Sequence, residues 1–226
     1  MLELDKYQHQ GLIWYGNRND KLEGRIPCGY SELDKVLSGG WPKQGLFEFK
    51  TPVGIGEIRL VLPYLQHKQS LGLLVFIGSP TLLNAEFLLA NGIDLNRVLV
   101  LPIYEPEQAL WAAEQCLKSG CCSTVMLWLN QLSVKQARRL LLASEQGEST
   151  VCLYRAVQAA SQFSIPSTLS MSLKASDLGL SLKVDKQRGG QASDDLVINM
   201  WQQWPDLSTK PVCHRNVLPF PKSANH

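Results

Sequence analysis

The stretch Thr51-Pro52-Val53-Gly54-Ile55-Gly56-Glu57-Ile58 governs how the rest of the chain is read. An apolar strand at 46–49 leads into it and an amphipathic stretch at 59–66 leads out. Strand, glycine-bearing loop and helix form the frame of a phosphate-binding loop, whose pattern is G-x-x-x-x-G-K-[ST]. In that pattern glycine allows close backbone approach, lysine meets the phosphates and the hydroxyl holds Mg²⁺. Gly56 is kept here. Thr51 stands at the first glycine, Glu57 at the lysine and Ile58 at the hydroxyl.

Outward from this loop, apolar runs alternate with amphipathic ones. Ser31 reads as the cap of a short helix at 32–37, closed by Gly39-Gly40. Beyond the loop, strands are expected at 71–77, 98–101, 125–129 and 151–154. Helices are expected at 82–91, 107–118 and 134–145, the last capped by Ser133. This alternation predicts an α/β protein with a mainly parallel central sheet flanked by helices. After residue 165 the pattern changes to polar–apolar alternation at 167–173 and 178–185. A turn at Arg188-Gly189-Gly190 then leads to 196–201. These segments predict a C-terminal antiparallel β extension, a meander at the sheet edge. The chain divides into an arm at 1–24, a domain at 25–201 and an extended tail at 202–226.

Composition narrows the function classes. The chain has 226 residues, 45% of them hydrophobic and 19% charged, with a net charge of +2. That supplies a core and gives no electrostatic signature of a dedicated nucleic-acid binder. No signal sequence opens the chain and no apolar run reaches membrane-spanning length, so no membrane partner is expected. The six cysteines form no C-x-x-C pair and read as small buried hydrophobes. The four histidines are scattered and the carboxylates form no metal cluster, so neither catalytic residues nor a cofactor or metal is expected.

The segment Gly29-Tyr30-Ser31-Glu32-Leu33-Asp34-Lys35-Val36-Leu37-Ser38-Gly39-Gly40-Trp41-Pro42-Lys43-Gln44-Gly45 resembles the stretch before the P-loop strand of RecA-like ATPases. The likeness runs on collinearly through Phe76-Ile77-Gly78-Ser79-Pro80, Asn91-Gly92-Ile93-Asp94 and 125–129. Within that group the chain is similar to the ImuA/SulA proteins of the bacterial SOS response. Trp128-Leu129 and the 145–155 region are like SulA-type division inhibitors. The front end and Leu182-Lys183-Val184-Asp185-Lys186-Gln187-Arg188-Gly189-Gly190 are like ImuA.

The resemblance implies a RecA-like, P-loop-type fold whose ATP site is degenerate at Thr51, Gly56, Glu57, Ile58, Pro80 and Trp128. Glu57 would repel phosphates. Unlike charges 4 Å apart attract by about 4 kcal/mol near an effective dielectric of 20, and like charges repel by as much. Ile58 cannot ligate Mg²⁺, Pro80 stands for the water-activating glutamate, and Trp128 stands for the second Mg²⁺ anchor. In purely structural terms, Ile58 and Trp128 would pack in the core, Pro80 would begin a helix, and Glu57 would sit in a first helical turn.

With chemistry gone, function should lie in binding. The helix at 134–145 offers Lys135, Arg138 and Arg139 beside Leu140, Leu141 and Leu142, and reads first as a solvated basic face over a buried leucine face. Gln131-Leu132-Ser133-Val134 faintly echoes a sliding-clamp-binding peptide and reads equally as a helix cap. The tail offers Trp201, Trp204, Leu218 and Phe220 as a peptide ligand. By resemblance the chain would be a non-enzymatic cytoplasmic bacterial scaffold for error-prone translesion synthesis. Its partners would be an ImuB-like Y-family protein, an error-prone DNA polymerase III alpha-type subunit, and RecA. The alternative is a SulA-like division inhibitor that binds FtsZ. A third class is a single-stranded-DNA binder, for which the charge balance offers no support.

Overall fold

A computed structural model describes residues 24–160, 164–201 and 203–205. The expected arm and most of the expected tail, including Leu218 and Phe220, lie outside these residues. The elements are α1 (Ser31–Val36), β1 (Gly45–Lys50), α2 (Glu57–Lys68), β2 (Leu73–Ile77), α3 (Ala85–Ala90), β3 (Val98–Leu101), α4 (Pro106–Lys118), β4 (Cys122–Trp128), α5 (Val134–Gln146), β5 (Thr150–Arg155), α6 (Val157–Ala160), β6 (Leu169–Ser176), β7 (Gly179–Gln187) and β8 (Leu196–Asn199). They build a mixed α/β domain on one eight-stranded sheet, ordered β3-β2-β4-β5-β1-β6-β7-β8.

Strand alternation decides which face each side chain serves. Phe47, Phe49, Leu74, Phe76, Met126, Cys152 and Tyr154 point to one face, where α1, α2 and α3 contribute Leu33, Tyr64, Leu65 and Leu88. Leu46, Val75, Ile77, Val125, Leu127, Val151 and Leu153 point to the other, under Ala113 and Leu117 of α4 and Ala137 and Leu140 of α5. The middle strands are buried on both faces, which is why their sequences run apolar without interruption.

Helix starts follow local chemistry. The Glu105 carboxylate accepts the Gln108 N–H at 2.7 Å, and Pro106 occupies the first turn of α4, where no N–H is needed. Ser133 and Gln136 form a reciprocal capping box at α5, so the clamp-like tetrapeptide around Ser133 serves here as a helix start. Ser31 is not a cap: Tyr30 holds that position without a side-chain bond, and Ser31 Oγ turns to Glu32. Residues 82–84 stay outside α3 because Asn84 accepts the Phe87 N–H and starts the helix at Ala85.

The C-terminal strands form the antiparallel meander β6-β7-β8 as read, and β6 joins the sheet beside β1 in parallel, Phe47 opposite Leu169. Alternation marks a strand without fixing its direction. The connection at 156–168 is long enough for a parallel crossover, and Thr168 Oγ1 accepts the Leu46 N–H at 3.2 Å on arrival. The meander is therefore attached to the sheet through a parallel pair, with β6 belonging to both. The cysteines also divide. Cys28, Cys122 and Cys152 are buried, whereas Cys116 is half-buried and Cys121 exposed. Among the described residues no helix is long and apolar enough to cross a membrane.

Candidate functional site

The loop between β1 and α2 gathers the residues singled out in the sequence. β1 hands over to Thr51, whose N–H donates to the Arg155 carbonyl at 2.9 Å. The chain then turns through Gly54 (φ +83°) and Gly56 (φ +103°), left-handed values that favour glycine. Glu57 opens α2 and is only 4% exposed. Its Oε1 accepts the Gly54 N–H at 3.0 Å and its Oε2 the Gly56 N–H at 3.1 Å. A helix start with inward-facing amides is an anion site by its own electrostatics. Here the anion is the chain's own carboxylate. Glu57 thus sits in a first helical turn as read, and it also takes up the N–H groups of Gly54 and Gly56.

Glu57→Ala should strand both amides and cost about 2 kcal/mol, the range for hydrogen bonds to a charged group. Urea denaturation monitored by circular dichroism measures this, and a midpoint matching wild type would mean that the carboxylate does not hold the loop.

Two adjoining clefts flank the loop. One, of about 240 Å³, is walled by Val53, Ile58, Arg59, Pro80, Phe87 and Trp128. The other, of about 280 Å³, shares Glu57, Pro80 and Trp128 and adds Thr51, Tyr154 and Arg155. All six positions of the proposed degenerate site, Thr51, Gly56, Glu57, Ile58, Pro80 and Trp128, therefore meet around one loop. Their packing differs from expectation in three places. Trp128 is half-buried between the clefts, stacked on Tyr154 (ring centroids 4.9 Å apart) and on Phe76 (6.4 Å). Ile58 is likewise a half-buried wall residue. Pro80 begins no helix; it lies exposed in the loop before α3.

Arg59 joins the site without any signal in its own segment. Its guanidinium lies over the rings of Phe87, at 4.9 Å, and Trp204, at 5.2 Å. Phe87 and Trp204 also touch, with centroids 5.6 Å apart. Trp204, assigned to an extended tail, is thus seated on the domain beside the first cleft. A cation at the third residue of a helix, with aromatics far away in sequence, offers no local signal for such a sandwich. Trp201 stays partly exposed, its N–H donating to Asn199 Oδ1 at 3.0 Å.

The basic face of α5 is smaller than its sequence suggests. Lys135 and Arg138 are exposed, but Arg139 is ion-paired with Glu114 of α4, which Lys118 also meets at 2.6 Å. Leu140 alone of the three leucines is buried, Leu141 is half-buried, and Leu142 is 57% exposed. The Lys118 hydrogen bond, chiefly, and Arg139 hold the Glu114 carboxyl below its ordinary 4.5. Stability from this group is therefore present above about pH 4.5 and is lost as pH falls through the lower folded value. Because both cations are well exposed, the contribution should stay under about 1 kcal/mol. Glu114→Gln should flatten the acid limb of a stability–pH curve while changing little near neutrality.

Comparison with known proteins adds the following. The family profile described as "Cell division inhibitor SulA" matches residues 50–151. Protein RecA of Saccharopolyspora erythraea is 28% identical over 156 residues, covering 68% of this chain and 44% of that protein. Protein RecA of Acholeplasma laidlawii is 31% identical over 128 residues, covering 55% and 39%. The chain spans less than half the length of these relatives. A crystal structure of SulA from Pseudomonas aeruginosa aligns with 25% identity and a TM-score of 0.43, covering 49% of this chain and 97% of that one.

Proposed function

From a chain that belongs to the ImuA/SulA-type, SOS-associated family, we propose a non-catalytic RecA-type scaffold that supports error-prone translesion DNA synthesis in the bacterial cytoplasm. The observation that carries this reading is the Glu57 carboxylate on the amides of Gly54 and Gly56. In this reading the carboxylate takes the loop amides that a nucleotide phosphate would otherwise need, while the sheet and both helix layers around it are intact. Pro80 and Trp128 in the walls supply neither a general base nor a metal anchor. A domain kept whole around a filled loop is suited to presenting surfaces.

The partners in this reading are an ImuB-like Y-family protein, a polymerase III alpha-type subunit and RecA. The RecA likeness reaches across 68% of the chain, well past the SulA-matched residues, and favours the scaffold. The SulA profile itself favours a second reading, inhibition of division through FtsZ.

Equilibrium dialysis with Mg²⁺-ATP at micromolar concentrations should give no saturable binding to the purified chain; saturable binding would refute the filled-loop reading. Deletion in the source bacterium should lower damage-induced mutation frequency and leave division normal. Filamentation on overexpression, with FtsZ co-purifying and mutation frequency unchanged by deletion, would replace the scaffold by the inhibitor.

A further inference from the structure

Helix α2 has twelve residues, about 18 Å of rise, and its far end closes a second feature. There a pocket of about 420 Å³ is lined by Arg25, Lys43, Gln44, His67, Lys68 and Glu148, among others. Lys68, the last residue of α2, is 3% exposed. Its Nζ donates to the Lys43 carbonyl at 3.1 Å, one of the three hydrogen bonds an ammonium can give. Arg25 donates through Nη1 to the Gly40 carbonyl at 3.3 Å.

Among the described residues none of Arg25, Lys43 and Lys68 forms an ion pair. Glu148 is the sole acid of the lining, and it stands exposed at a left-handed backbone position (φ 49°). Burial pushes the proton affinities of Lys68 and Arg25 below their ordinary values. Lys68 is held out of water, 5.8 Å from the Tyr64 ring centroid, and Arg25 is half-buried, while Lys43 and His67 stand exposed at the rim. Two desolvated cations with one facing carboxylate carry a cost that an anion entering the pocket would offset.

We propose that the pocket formed by Arg25, Lys43, His67 and Lys68 binds a phosphoryl anion. Its donors come from three separate parts of the chain: the entry to the domain, the loop before β1 and the end of α2. Converging donors of this kind suit a tetrahedral anion with several acceptor oxygens, and an arginine beside lysines is the usual complement. The phosphoryl group can be a free phosphate or the terminal phosphate of an oligonucleotide. The site is separate from the Glu57 loop and does not depend on how that loop is read.

The test titrates inorganic phosphate into the full chain, with sodium chloride controls at matched ionic strength, following the thermal midpoint and the ³¹P line width. Expected are a saturable rise in midpoint and a broadened phosphate signal. Both should be absent in Lys68→Met. Arg25→Gln, at a half-buried position that spares the core, should weaken the phosphate dissociation constant about tenfold or more, the loss of a charge-assisted hydrogen bond. A 5′-phosphorylated oligonucleotide that displaces phosphate where its unphosphorylated twin does not would identify a nucleic-acid end as the source. Displacement by neither would identify a small phosphate. The proposal is overturned if the midpoint simply follows chloride, or if Arg25→Gln binds phosphate as wild type does.

Discussion

Glu48→Gln is expected to cost the fold about 3–5 kcal/mol, the range for breaking a buried ion pair from one side. Glu48 is 2% exposed in β1, and its Oε1 accepts from Arg155 Nη1 at 2.7 Å, where the arginine side chain is 4% exposed. Oε2 accepts from Ser170 Oγ at 2.8 Å in β6. One carboxylate thus joins three adjacent strands, β5, β1 and β6. Arg155 also donates to the carbonyls of Asn130 and Ala159, both at 3.1 Å, so the guanidinium is held in place when its counter-charge is removed. Glutamine keeps the shape and deletes the charge, which leaves a buried cation unpaired. Urea denaturation should show a lower midpoint with the same slope. Replacing both partners by apolar residues, Glu48→Leu with Arg155→Met, should recover much of the loss, because the desolvation cost of two charges disappears along with their attraction. A single-variant loss below about 1 kcal/mol would mean that solvent reaches the pair.

Trp41→Ala should cost a similar amount, about 3–5 kcal/mol. Trp41 is fully buried between the entry segment and the sheet. Its ring stacks on Phe47 with centroids 5.9 Å apart and meets Phe49 and Tyr64 edge-on at 6.0 and 6.3 Å. Its backbone exchanges two hydrogen bonds with Ile26, at 2.9 and 2.7 Å. The preceding Gly40 (φ +122°) could not carry a side chain, since a Cβ there would lie 2.2 Å from the Ile26 carbonyl oxygen. Alanine at 41 would leave a cavity walled by three rigid rings that cannot collapse into it. Thermal unfolding should report a large drop in midpoint for alanine and a much smaller one for Trp41→Phe. Trp41 Nε1 is buried without a hydrogen-bond partner, so equal drops would mean that the full width of the indole, and not an aromatic ring as such, is what the site requires.

The middle of the sheet was readable because its strands are buried on both faces. β1, β2, β4 and β5 each lie within a few residues of an apolar run; the edge strand β3 also coincides with 98–101, although its side chains are half-exposed. Local signals also served where they were complete, as at Ser133. They failed where the deciding partner lay elsewhere. The direction of β6 depends on β1, more than a hundred residues earlier. Glu48 and Arg155 are 107 residues apart, and each alone looks like an ordinary surface charge. Pro80 has the composition of a helix start, but Asn84 supplies the better cap four residues on. Thr51, Gly56, Glu57, Ile58, Pro80 and Trp128 stand out in the sequence because they lie in one collinear frame, and the fold brings them around two adjoining clefts. Arg59 with Trp204, and the basic pocket at 25, 43, 67 and 68, follow no spacing rule and become visible only when the chain is folded.

A bound nucleotide comes and goes, and its concentration and hydrolysis let a protein alternate between states. A ligand that is covalently part of the loop has no dissociation constant: its effective concentration is fixed by geometry and is the same in a starved cell and a growing one. A loop of this kind carries no clock. On the proposed reading of Glu57, nucleotide level and hydrolysis do not switch this chain, and its state answers to other inputs.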